Sequence, residues 1–200
     1  EIRRYRDMGV DKALVIAATG SGKTYLAAFD AKNFNPNKLL FIVHRENVLN
    51  DALVTFRKVF GNSRTFGMYT GNYKDIDTDF LFATNIMMSS NLDKFGEDEF
   101  DYIVVDEVHH ATASTYQKII NYFTPQFLLG LTATPERMDN EDIIGIFEKN
   151  VPYELRLRDA LINDLVVPFK YYGIKVEVDY DEKDQRKLVT QSLQTENIEK

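Results

Sequence analysis

The feature that most constrains this chain is a glycine-bearing loop, Ala17-Ala18-Thr19-Gly20-Ser21-Gly22-Lys23-Thr24. The apolar run before it, Ala13–Ile16, predicts a buried strand, and the segment 25–34 after it predicts a helix. Gly20 and Gly22 can adopt positive φ, which turns backbone N–H groups inward around an anion. The helix starts where the loop ends, so its N-terminal amides and dipole face the same anion. This arrangement is typical of a phosphate-binding P-loop.

Two side chains of the loop supply the predicted nucleotide chemistry. Lys23 places a positive charge near the β and γ phosphates, and the Thr24 hydroxyl suits Mg²⁺. The predicted cofactor-binding residues are Thr19, Gly20, Ser21, Gly22, Lys23 and Thr24. The usual pattern opens with Gly where this chain has Ala17, so an ordinary glycine turn between a strand and a helix is the alternative at this point.

Length and composition limit the possible classes of protein. A chain of 200 residues fits one α/β domain, or one domain and a fragment. Its 44% hydrophobic residues supply a core and exclude a disordered chain. Cysteine is absent, which excludes disulfides and makes a cytoplasmic location the default expectation, and no apolar run reaches the roughly 20 residues that span a bilayer.

The charge balance bears on nucleic-acid binding. A net charge of −7 argues against a surface that is basic overall. It leaves open a local groove in which backbone amides and a few side chains contact phosphates.

Short apolar runs alternate with helical patterns, which predicts βαβ units, a mostly parallel sheet and helices on both faces. After the first strand, we expect strands over residues 39–43, 65–69, 80–84, 102–105 and 127–131. Polar residues follow the strand ends: Thr19, His44, Arg45, Thr70, Thr84, Asp106, Glu107 and Thr132. Because ligands of open α/β sheets bind at the carboxyl ends of the strands, these residues are expected at one edge.

The acidic pair Asp106-Glu107 supplies what a P-loop needs beside its phosphate cradle. An aspartate at a strand end can hold Mg²⁺ opposite the P-loop hydroxyl, and a neighbouring glutamate can orient water and accept its proton. A lone Asp-Glu pair would more simply cap the following helix. The P-loop upstream favours the nucleotide site.

Three motifs in this order resemble those of superfamily-two helicases. They are residues 18–24 as motif I, residues 106–109 as motif II and residues 132–134 as motif III, and the DExH subgroup is the most similar. His44-Arg45-Glu46, Thr70-Gly71 and Ala83-Thr84 resemble the nucleic-acid-contacting motifs of the same proteins. The chain is most similar to the helicase subunits of type I and type III restriction enzymes and to excision-repair helicases.

The resemblance implies a RecA-like P-loop NTPase fold, ATP and Mg²⁺ as cofactors, and movement on nucleic acid, with DNA favoured over RNA. It implies catalytic roles for Lys23, Asp106 and Glu107, and Mg²⁺ ligation by Thr24 and Asp106. The residues implied to couple nucleotide to nucleic acid are His109, Thr132, Ala133 and Thr134. The residues implied to contact nucleic acid are His44, Arg45, Thr70, Gly71 and Thr84.

The resemblance also implies a domain organisation. Residues 1–157 are expected to form the first RecA-like domain, truncated at its N-terminus, and residues 158–200 a linker and the start of a truncated second domain. Such a second domain supplies an arginine finger, which is worth about 10³- to 10⁵-fold in rate in other NTPases. We therefore expect this chain alone to hydrolyse ATP poorly.

Two other classes of function stay open from the sequence. A small-molecule P-loop kinase would share the phosphate cradle but would need an acceptor pocket and a lid. A non-catalytic nucleotide-sensing module would share the fold without the turnover. Stimulation of ATP hydrolysis by a small acceptor would favour the kinase, and a whole protein that hydrolyses no ATP would favour the sensing module.

Overall fold

The computed structural model describes residues 1–108, 114–133 and 141–167, together with two short strands at 177–179 and 187–189. The chain divides into two compact units, Glu1–Val166 and Val167–Lys200. In the second unit, strands β8 (Glu177–Asp179) and β9 (Lys187–Val189) pair antiparallel. The run 169–178, whose sequence also predicts a strand, lies outside the described residues apart from its last two positions.

The described part of the first unit contains one seven-stranded sheet. In chain order, the first six strands are β1 (Lys12–Ala17), β2 (Leu39–Val43), β3 (Phe66–Tyr69), β4 (Phe80–Thr84), β5 (Tyr102–Val105) and β6 (Phe127–Thr132). The seventh, β7 (Tyr153–Leu155), was not expected from the sequence, because it is three residues long and mostly exposed. The spatial order is β3-β4-β2-β5-β6-β1-β7, and every pairing is parallel. The mostly parallel sheet is confirmed.

The helices cover both faces of the sheet, as the sequence predicts. They are α1 (Ile2–Asp7), α2 (Lys23–Phe34), α3 (Glu46–Phe60), α4 (Asn85–Ser89), α5 (Ser114–Tyr122), α6 (Glu141–Ile146) and α7 (Leu157–Ile162), and a 3₁₀ turn spans Leu92–Lys94. One core cluster contains the buried faces of α2 and α3, and a second contains those of α4, α5 and α6. Among the described residues, no helix is long and apolar enough to cross a membrane.

The strands are apolar throughout because both faces of the sheet are covered. In β2 all five residues are buried, and they alternate between the two clusters. Leu39, Phe41 and Val43 point toward α2 and α3, whereas Leu40 and Ile42 join the opposite cluster. The period-two alternation of a strand therefore divides one apolar run between two cores.

A buried polar network joins α1 to the rest of the domain. The Arg6 guanidinium donates two hydrogen bonds to the Asp30 carboxylate, at 2.5 and 2.9 Å, and the Tyr102 hydroxyl donates to the same carboxylate at 2.6 Å. The guanidinium also lies over the rings of Phe34 and Phe127. Burial lowers the pKa of Arg6, but Asp30 more than offsets this and the net shift is upward. The short N-terminal helix is thereby anchored to α2 and to the start of β5.

Candidate nucleotide-binding site

The glycine loop has the backbone geometry that its sequence predicts. β1 ends at Ala17, and Gly20 and Gly22 adopt φ values of 82° and 87° before α2 begins at Lys23. A Cβ added at Gly22 would meet no atom within 4 Å. Glycine is therefore required there by the left-handed backbone and not by crowding.

The Lys23 side chain folds over its own loop. Its Nζ donates to the carbonyl oxygens of Ala17 at 2.8 Å and Ala18 at 3.2 Å, and the Ser21 hydroxyl donates to Ala18 at 2.7 Å. Burial lowers the pKa of Lys23, while the charges of Asp106 and Glu107 act in the opposite direction. The ammonium is thus close enough to both carboxylates to interact with them.

The acidic pair follows directly after β5. Asp106 is only 6% exposed, and its carboxylate accepts a hydrogen bond from the Glu107 amide at 2.9 Å. Burial raises the pKa of Asp106, and the Glu107 amide and the Lys23 ammonium act to lower it. Glu107 has φ of 52°, the left-handed region that a residue with a Cβ rarely adopts. Strain at a loop that also buries a carboxylate is typical of functional sites.

The sheet brings these two loops to the same edge. β6 lies between β1 and β5 and is parallel to both, so all three strands end on the same side. Thr132 is the last residue of β6 and is 1% exposed, with half-buried Ala133 following it between the two loops. His109 and Thr134, also predicted to couple nucleotide to nucleic acid, lie outside the described residues.

The residues predicted to contact nucleic acid follow β2, β3 and β4, but they differ in accessibility. Arg45 and Gly71 are exposed, and Thr84 is half-buried at the start of α4. Thr70 is fully buried, and its hydroxyl oxygen accepts hydrogen bonds from the amides of Asn72 at 3.1 Å and Tyr73 at 3.3 Å. The Thr70 hydroxyl therefore shapes the turn, and the backbone at Gly71 is what the turn exposes.

The fifth of these predicted residues, His44, faces the acidic pair. Its Nδ1 lies 2.7 Å from Glu107 Oε2, and both atoms are shielded from solvent. The two atoms are within ion-pair distance, but the contact does not have the alignment of a formed hydrogen bond.

Sequence analysis did not single out two polar side chains that are buried near this edge. Within the described part of the chain, the Tyr116 hydroxyl on α5 has no hydrogen-bond partner, and its pKa is raised by burial and by the charges of Glu107 and Asp106. Asn85 donates from Nδ2 to Thr115 Oγ1 at 3.0 Å, but its buried Oδ1 accepts no hydrogen bond from any residue that the structure describes. In the sequence, Tyr116 fits only the apolar stripe of a predicted helix, and Asn85 fits only the end of a predicted strand, so neither carries a functional signal.

The donor set is compatible with Mg²⁺ beside a nucleotide. No group of three His, Cys, Asp or Glu side chains in the described part of the chain could hold a metal alone. Mg²⁺ at such sites takes one or two protein oxygens and completes its shell with phosphate oxygens and water. The Asp106 carboxylate and the Thr24 hydroxyl can supply these protein oxygens. The carboxylate is buried, so it has little water to lose when it binds the ion.

Fold, loop and acidic pair together define the class of protein: a RecA-like, ATP-binding first domain of a superfamily-two helicase. The chain belongs to the family described as type III restriction enzyme, res subunit, whose model matches residues 1–137.

Individual relatives agree with this assignment. The chain is 27% identical over 188 residues to a Saccharomyces cerevisiae protein named "Putative ATP-dependent helicase IRC3", covering 86% of this chain and 27% of the relative. The Hef helicase domain of Pyrococcus furiosus has the same fold, with a TM-score of 0.65, 20% identity, and coverage of 77% of this chain and 37% of that one. The type ISP restriction-modification enzyme LlaGI, solved with a DNA substrate mimic, superposes with a TM-score of 0.61 and 21% identity, covering 82% of this chain and 20% of that one. The chain spans less than a third of the length of the first curated relatives that it matches.

Proposed function

We propose that this chain is the first motor domain of a DExH translocase or helicase that uses Mg²⁺ and ATP to move along DNA. The observation that carries the proposal is the convergence of Lys23 and the Asp106-Glu107 pair on one edge of a parallel sheet. A cation over a glycine-bearing loop, on the same edge as two carboxylates, is the arrangement that binds and cleaves a triphosphate.

The P-loop side of the site binds the phosphates. The amides of residues 19–22 and the first turn of α2 surround them, and the Lys23 ammonium exchanges its contacts with Ala17 and Ala18 for phosphate oxygens. Thr24 and Asp106 would hold Mg²⁺, which neutralises charge on the phosphate oxygens when it is bound.

Glu107 acts as the general base. Its side chain is about one-third exposed, with Oε2 buried, so the other carboxylate oxygen is the one that can reach water. A general base must lie within hydrogen-bond distance of the proton it takes, and Glu107 stands next to the residue that would hold the metal.

The loops after β2, β3 and β4 carry the DNA. Exposed Arg45 and the exposed backbone at Gly71 contact phosphates, with Thr84 beside them. Contacts of this kind set register without reading sequence, and they do not require a basic protein. DNA is favoured over RNA because LlaGI, which shares the fold, was solved with a DNA substrate mimic.

A second RecA-like domain completes the site in the whole protein. We assign residues 158–200 to the linker and the start of that domain, and the arginine finger to the rest of it. We also expect a cytoplasmic location, from the cysteine-free sequence.

The test is ATP turnover of the whole protein with single-stranded DNA, duplex DNA and RNA. We expect DNA to stimulate turnover, and Lys23→Ala and Glu107→Gln each to abolish the stimulated rate. Lys32→Ala is the matched control on the same helix, and Glu97→Gln the matched control for loss of an exposed carboxylate. Neither control should change the rate.

Each competing function has its own outcome in this assay. Stimulation by a small acceptor and by no nucleic acid would show a kinase. Nucleotide binding without turnover under every condition would show a sensing module. Stimulation by RNA alone would overturn the choice of DNA and keep the rest of the proposal.

A further inference from the structure

The register of the sheet brings His44 and Glu107 close to each other. β2 and β5 are neighbouring parallel strands, with Ile42 opposite Val105, and the Asp106 amide donates to the Ile42 carbonyl at 2.9 Å. His44 is two residues beyond Ile42 and Glu107 is two residues beyond Val105, so the two residues lie at matching positions along the neighbouring strands. The backbone pairing therefore brings the two residues together, and their side chains complete the 2.7 Å approach of Nδ1 to Oε2.

The chemistry of the two side chains decides which of them donates the hydrogen bond. An ionised carboxylate has no proton to donate, so the His44 ring must supply the N–H at Nδ1. A rotation of either side chain would turn the short contact into an aligned hydrogen bond. Hydrogen bonds of catalytic groups are often poorly aligned before ligands bind and tighten in the reacting complex.

His44 also stands at the boundary between two sites. It lies between the end of β2 and Arg45, which is the residue before α3 and is exposed. A displacement of this loop by a bound strand moves Nδ1 relative to Glu107, because only one peptide bond separates Arg45 from His44.

We propose that His44 is a positioning residue that orients the Glu107 carboxylate and transmits nucleic-acid binding at Arg45 to it. The inference rests on the proposed function, since it assumes that Glu107 is the base. His44 holds Oε2, which leaves Oε1 to face the attacking water. Nucleic acid on the adjacent loop aligns the Nδ1–H with Oε2 and fixes the carboxylate in its working orientation.

The experiment compares His44→Ala, His44→Asn and His44→Gln in the whole protein. The side-chain amide of Asn places an N–H close to the position of Nδ1, whereas that of Gln places it close to Nε2. The measured quantities are kcat with and without saturating DNA, the KM for ATP, the affinity for DNA and the thermal midpoint.

We expect His44→Ala to lower the DNA-stimulated kcat by about 10- to 100-fold, the value of one hydrogen bond to a charged group. The basal rate should fall less, so the stimulation ratio falls, while the KM for ATP and the affinity for DNA stay unchanged. His44→Asn should recover most of the stimulated rate, and His44→Gln should resemble His44→Ala.

Three results would overturn the inference. An unchanged stimulated kcat in His44→Ala would show that the contact has no role in turnover. Weaker DNA binding with normal kcat at saturation would make His44 only a phosphate contact. Equal losses in the Asn and Gln variants, with lowered thermal midpoints, would make it a packing residue. A wild-type protein that DNA does not stimulate would instead overturn the proposed function itself, whatever the variants do.

Discussion

Replacing Asp30 with Ala should destabilise the domain more than any single exposed substitution, because it leaves a buried cation without its partner. The side chains of Arg6 and Asp30 are 12% and 10% exposed, so neither charge is well solvated. Asp30→Ala removes two hydrogen bonds from Arg6 and one from Tyr102 at a single step. The rings of Phe34 and Phe127 remain against the guanidinium.

The magnitude follows from the burial of the pair. Removing one member of a buried ion pair costs about 3–5 kcal/mol, whereas an exposed pair is worth about 0–1 kcal/mol. For a domain of this size, 1 kcal/mol shifts the thermal midpoint by about 2–4 °C, so we expect a fall of about 6 °C or more. Tyr102→Phe should cost less, because Arg6 still satisfies the carboxylate.

Urea unfolding of the 200-residue chain at neutral pH measures these differences. The matched control is Asp51→Ala, an exposed carboxylate in the first half of α3. An Arg6→Leu, Asp30→Leu double variant should lose less stability than Asp30→Ala, because it leaves no uncompensated charge. A loss below about 1 kcal/mol for Asp30→Ala would refute the argument, since it would place the pair among solvated surface contacts.

Three further substitutions test the core and the candidate site. Tyr116→Phe should raise stability by about 1 kcal/mol, measured by urea unfolding, because the buried hydroxyl has no partner; a loss would show that it has one. Gly130→Ala should lower stability by about 1–3 kcal/mol in the same assay, because a Cβ there would lie 2.4 Å from the Phe147 ring; an unchanged midpoint would show that the ring can move away. Asp106→Asn should raise the thermal midpoint at neutral pH, because a buried carboxylate with a raised pKa destabilises the fold once it is ionised. That gain should disappear as the pH falls toward about 3.9, where the unfolded carboxyl also takes a proton, and a gain that is independent of pH would contradict the assignment.

Much of the fold could be predicted because its signals are local. A continuous apolar run such as Leu39–Val43 is buried on both faces, and the run itself is enough to indicate a strand. The glycine loop is equally local, since positive φ at Gly20 and Gly22 follows from the residue type and the turn they must make. β7 carried no such signal, because a short edge strand has few apolar residues to reveal it.

The contacts between loops could not be predicted, because they depend on strand order. Nothing in the residues after β2 indicates that β5 is its neighbour, so His44 was assigned to nucleic acid alone. Thr70 shows the same limit within one loop. A threonine after a strand matches a ligand-contacting motif equally well whether its hydroxyl faces outward or, as here, bonds to the following amides.

The position of Lys23 has a consequence for how fast the site can respond to its ligand. Burial has already removed much of the water from the ammonium, which donates instead to two carbonyls of its own loop. An arriving triphosphate therefore exchanges one set of oxygen partners for another by the swing of a single side chain.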